Sequence, residues 1–192
     1  QLFAGWAALI TPLVLLSKSR ACYLLWGVLL ELAVWRYLDS QARFWLFDSA
    51  RQLWLLTLAN LQLVLFAEFA LPRLGVNANK PLLWLATLAL LLPLTFGAVT
   101  GIWQHNYQLN LLSYLLLSPA LALWYFRCYR DLLIFALLLF SAIAVSTVLL
   151  ARLMDAADGF FLVNLLALYV IGVSTGAAIW LKRLLQEPQH EH

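Results

Sequence analysis

Seven apolar stretches, separated by short loops that hold most of the charge, constrain this chain more than any other feature. They run Leu2–Leu16, Ala21–Leu38, Leu53–Leu71, Leu82–Trp103, Tyr107–Phe126, Leu132–Ala151 and Gly159–Leu181. A backbone in hydrocarbon must satisfy its polar groups within its own segment, and about 17–25 residues of helix cross a bilayer. Composition agrees: 65% of the 192 residues are hydrophobic and 11% are charged, against about 45–50% and about 25% in a soluble domain. The expected fold is all-α, a polytopic transmembrane helical bundle of six to seven spans over residues 1–185, followed by a disordered cytoplasmic tail at 186–192. No loop is long enough to hold a catalytic or cofactor-binding domain of its own.

The first stretch is too short to cross untilted, so it either begins before Gln1 or is a partial helix that dips in and is covered by its neighbours. The chain opens on Gln1 with neither an initiator Met nor a basic leader, which favours the former. The expectation is a fragment of a larger membrane protein with further spans upstream.

Short loops rich in Lys and Arg stay in the cytoplasm. One set of alternate loops collects Lys18, Arg20, Arg73, Lys80, Arg127, Arg130, Lys182 and Arg183, and the other only Arg36, Arg43, Arg51 and Arg152. The bias sets Gln1 outside and the C-terminus in the cytoplasm, with Asp39, Asp48, Asp155 and Asp158 on the outer side. Tryptophan prefers the headgroup level, and eight of the nine tryptophans lie near a proposed span end, Trp26 alone being deeper. The net charge of +3 then reflects this loop bias. A nucleic-acid surface would need a basic cluster that the sequence lacks, so the expected contacts are membrane lipids and other membrane-protein subunits. Asp39–Gln52, with Phe44, Trp45, Leu46 and Phe47 at its centre, reads either as a helix on the outer interface or as a solvated connector. Cys22 and Cys128 fall near cytoplasmic span ends, where thiols stay reduced, and imply neither a disulfide nor a metal site.

Two stretches carry a family resemblance. Leu2–Leu38, LFAGWAALITPLVLLSKSRACYLLWGVLLELAVWRYL, and Tyr125–Leu185, containing YFRCYRDLLIFALLLFSAIAVSTVLLARL and VIGVSTGAAIWLKRLL, resemble the later part of a bacterial family of polytopic membrane proteins catalogued as domain of unknown function 2157. The more telling pieces are the turns Ser17–Arg20 and Arg127–Asp131. The resemblance implies a multi-pass protein of the bacterial inner membrane with upstream spans and a hetero-complex with other envelope proteins. It supplies no activity for any residue.

Gly172-Val173-Ser174-Thr175-Gly176 fits the G-x-S-x-G pattern of a serine nucleophile, which needs a turn, a base and an oxyanion hole. It sits inside an uninterrupted apolar stretch. Gly172 and Gly176, four apart with Ser174 between them, fit better as a small-residue face for helix packing. Pro93 and Pro119 read as tolerated kinks before gating hinges.

Carboxylates inside a membrane are expensive and mark candidate sites. Glu31 lies 11 residues into its stretch, with Arg36 toward the outer end. Glu68 lies about one helical turn from the cytoplasmic end, near Arg73. Asn60 and Asn164 could complete an intramembrane polar site with Glu31, or a seam that only holds helices together. The outer turn Gln104–Tyr107 places His105 in solvent, Asp155 and Asp158 read as a polar turn and N-cap, and His190 and His192 are too few for a closed metal site. No cofactor is expected.

Three functions fit. A structural or accessory subunit of an envelope membrane complex asks for no catalytic residue and comes first. A carrier or channel for a proton, ion or small polar molecule would bring Glu31 and the Asn residues to one wet cavity. A membrane-embedded enzyme would use Ser174 or the Asp155–Asp158 cluster.

Overall fold

The computed structural model describes residues 2–17, 19–41, 50–73, 80–128, 131–154 and 159–186. Among them lie seven long helices: α1 (Leu2–Ser17), α2 (Arg20–Gln41), α3 (Ala50–Arg73), α4 (Lys80–Trp103), α5 (Gln108–Cys128), α6 (Leu132–Leu153) and α7 (Gly159–Gln186). The described residues contain no strand. Each helix coincides with one of the seven apolar stretches.

Among the described residues, five segments are long and apolar enough to cross a membrane: α3, α4, His105–Arg127 (most of α5), α6 and α7. The chain is therefore a multi-pass helical membrane protein. Two helices stand outside that set. α1 has 16 residues, and α2, at 22 residues, carries Arg20, Glu31, Arg36 and Asp39. Residues 42–49 of the anticipated interfacial segment, Asp155 and Asp158, and the tail from Glu187 lie outside the described residues.

The chain divides into two compact units, Gln1–Gly97 and Ala98–His192. In the first, α1 packs on α2 and α2 on α3. Its buried cluster draws one residue from each of four helices, Val14, Tyr23, Leu71 and Leu82, with Ile10, Trp26 and Phe66 packed around it. Gly27 leaves room for the Leu82 side chain of α4: a Cβ there would stand 2.5 Å from Leu82 Cδ1. α3 widens into a π-helical turn over Phe66–Ala70, a geometry that is rare and recurs at functional sites.

In the second unit α5 packs on α6 and α6 on α7. Asp131 starts α6 as its N-cap, accepting from Leu133 N at 3.1 Å, which satisfies one of the orphan donors of the first turn. Phe135 makes T-shaped contacts with both Phe126 and Trp180, at centroid distances of 6.2 and 5.9 Å. Hydroxyls link neighbouring helices: Ser141 Oγ donates to Tyr114 Oη at 3.2 Å, and Tyr169 Oη to Ser146 Oγ at 2.9 Å.

Most remaining hydroxyls stay within their own helix. Thr57, Thr87, Ser113, Thr147 and Thr175 each donate to the carbonyl four residues earlier. Such back-bonding satisfies a hydroxyl in hydrocarbon without a partner helix.

Candidate functional site

Glu31 is at the midpoint of α2, the twelfth of its 22 residues, about 15 Å from either helix end at 1.5 Å per residue. It is half-buried and lines two cavities in the first unit. One, of about 270 Å³, lies against α3 and α4 and is walled by Leu32, Trp35, Leu56, Leu92 and Pro93. The other, of about 320 Å³, lies between α2 and α3 and is walled by Trp26, Leu30, Val34, Leu63 and Phe66.

Asn60 borders both cavities, and Gln62 and the Trp26–Phe66 pair border the second. Asn60 is buried, and its Nδ2 donates to the Ala89 carbonyl oxygen at 2.8 Å. The amide's Oδ1 is left without a protein donor among the described residues. Glu31 itself makes no hydrogen bond or ion pair among the described residues, and no described Lys or Arg lines either cavity.

Two aromatic rings shape the second cavity. The Trp26 indole Nε1 donates to Thr11 Oγ1 at 3.0 Å, and Thr11 in turn donates to Ala7 O at 2.7 Å. With its N–H so engaged, the indole that lines this cavity presents no free donor to it. Phe66 leans on it at 5.4 Å between centroids and 48° between planes. The π-helical turn begins at Phe66, so the irregularity in α3 borders the cavity.

The other anticipated residues lie elsewhere. Glu68 is half-buried within the π-helical turn and is not among the residues lining either cavity. Asn164 belongs to the second unit, is exposed, and donates from Nδ2 to Phe160 O of its own helix at 2.8 Å. Thus Glu31 and Asn60 share a site, while the Asn164 donor is engaged within α7.

Gly172, Ser174 and Gly176 are exposed on α7, and a Cβ added at either glycine meets nothing within 4 Å. Ser174 sits in unbroken helix and has no hydrogen-bonded base among the described residues. The turn that a serine nucleophile needs is absent at this position. Among the described residues no three His, Cys, Asp or Glu side chains gather as metal ligands.

The sequence alone did not reveal the aromatic wall or the tie from Asn60 to Ala89. One signal for the wall was present: Trp26 is the only tryptophan set deep in its stretch. Comparison of the chain with family models, curated proteins and solved structures finds no match.

Proposed function

We propose that the chain is a membrane carrier or channel that takes a proton, ion or small polar solute at the Glu31–Asn60 cleft. The observation supporting this reading is that Glu31, at the middle of α2, borders two cavities with Asn60 while lacking any partner among the described residues. An intramembrane carboxylate with no counter-charge is costly to keep, and a solute or proton entering the cleft would offset that cost. On this reading α1 and α2 also lie within the bilayer, which brings the five segments to seven, the upper end of the expected six to seven spans. The reading places the C-terminus in the cytoplasm, on the strength of the Lys and Arg bias of the loops, and takes the membrane to be a bacterial inner membrane solely on the resemblance of the two end segments to domain of unknown function 2157.

The test is reconstitution of the full-length protein in proteoliposomes with an internal pH dye and a set of salt gradients. Flux above protein-free vesicles that Glu31→Gln abolishes, with assembly intact, is the expected result. Equal flux in the two proteins would overturn the reading.

A second reading, an accessory subunit of a membrane complex, draws on α7. None of that helix's apolar window is buried within the protein, and its Gly172/Gly176 face is open. Recovery of a stoichiometric membrane-protein partner in mild detergent would favour it.

A further inference from the structure

We propose that the Glu31 cleft binds a small organic ammonium ion, a positively charged nitrogen carrying apolar substituents. The inference rests on the carrier reading and names its class of solute.

Charge comes first. The cleft contains a carboxylate, and no described Lys or Arg lines it. Its occupant is therefore a cation or a proton. A proton would neutralise Glu31 but use none of the about 320 Å³ of the larger cavity. That volume falls at the low end of ordinary small-ligand pockets, about 300–1,000 Å³.

The walls then discriminate among cations. A hard metal ion such as calcium or magnesium takes about six or more oxygen ligands. Here the polar groups at the larger cavity are Glu31, Asn60 and Gln62, set among Trp26, Leu30, Val34, Leu63 and Phe66. An alkylated ammonium has the complementary surface: its charge is spread, its methyl or methylene groups suit hydrocarbon walls, and it is attracted to the face of an aromatic ring. Trp26 and Phe66 both line the larger cavity, the Trp26 N–H is held by Thr11, and the two rings meet at an angle of 48°. The two rings thus form an inclined corner rather than a flat stack. Asn60 Oδ1 adds a neutral acceptor for any N–H the cation carries.

The smaller cavity repeats the theme, with Glu31, Asn60 and Trp35 on its lining. One carboxylate is thus reachable from two recesses, as a solute exchanged between them requires.

The experiment uses the full-length protein in lipid nanodiscs, with radiolabelled tetramethylammonium as probe and equilibrium dialysis as readout. Competitors are sodium, potassium and neopentyl alcohol, an uncharged molecule built on a similar quaternary centre. Saturable binding at one probe per chain is expected, resisting the neutral competitor and tenfold excesses of sodium or potassium. Glu31→Gln should weaken binding tenfold or more. Trp26→Leu, and independently Phe66→Leu, should weaken it roughly 2- to 30-fold, the span of cation–π contributions. Each variant is taken only where its helicity and elution volume match the parent, and the pair of ring variants guards against one failing to fold.

Absence of saturable binding, binding unchanged in Glu31→Gln, or displacement by sodium at equal concentration would overturn the ammonium assignment. If Glu31-dependent proton or sodium flux persists in that case, the carrier reading stands and only its solute was misjudged. If neither binding nor flux depends on Glu31, both fall.

Discussion

The side-chain amide of Asn60 reaches across from α3 to the carbonyl oxygen of Ala89 in α4, at 2.8 Å, and Ala89 stands four residues before Pro93. A helix carbonyl ordinarily accepts from the N–H four residues later, and proline has none. Asn60 supplies the donor that Pro93 removed, as neighbouring helices do for prolines in membrane spans. The buried Asn60 therefore has a structural task as well as its place on the cleft. Asn60→Leu should cost about 1–2 kcal/mol, the range for a buried carbonyl losing its donor. Pro93→Ala restores an N–H at position 93, so the same replacement in that background should cost less, with a coupling of about 0.5 kcal/mol or more. Reversible unfolding in mixed micelles of the four proteins measures this, and strictly additive costs would remove the assigned role.

Two glycines predict an order of sensitivity. A Cβ on Gly101 would lie 2.7 Å from the Tyr107 carbonyl oxygen and 3.0 Å from Leu111 Cβ. A backbone atom in the turn between α4 and α5 cannot swing aside, so Gly101→Ala should destabilise by about 1–3 kcal/mol, as other overpacking does. At Gly27 the obstacle is only the tip of the Leu82 side chain, which can change rotamer. Gly27→Ala should cost less than Gly101→Ala in the same unfolding assay, and the reverse order would mean that α2 and α4 are held more rigidly than the α4–α5 turn.

The helices were legible because the membrane writes them into composition. Leu132–Ala151 became Leu132–Leu153, and Leu53–Leu71 became Ala50–Arg73, differences of a few residues at ends that charge does not mark sharply. Rotation about the helix axis was not legible. In a span that is leucine-rich all round, no polar face reports which side meets a neighbour. Hence Asn60 and Asn164 looked alike, yet one crosses to Ala89 and the other bonds to its own Phe160. Glu31 was legible as a costly charge, whereas its cavities depend on which residues of α3 and α4 face α2. The π-helical turn at Phe66–Ala70 carries no sequence mark that a regular helix would lack.

The face of α7 separates the two functional readings. Gly172 and Gly176 have open space where a Cβ would go, so a larger side chain there meets nothing in the chain itself. Glycine is also a poor helix former, and Gly172→Ala or Gly176→Ala should leave folding unchanged or improve it by up to about 1 kcal/mol each. Gly172→Ile and Gly176→Ile add bulk on the same face, which would obstruct a helix that approaches as closely as small-residue pairs allow. An accessory subunit should then lose its membrane-protein partner on purification while its own thermal stability holds. A carrier acting through the Glu31 cleft should keep its flux in both isoleucine variants and lose it in Glu31→Gln. Loss of flux in the isoleucine variants together with loss of a partner would mean that transport requires the assembled complex, uniting the two readings. Loss of thermal stability in them would mean instead that this face packs within the chain, contrary to its exposed position.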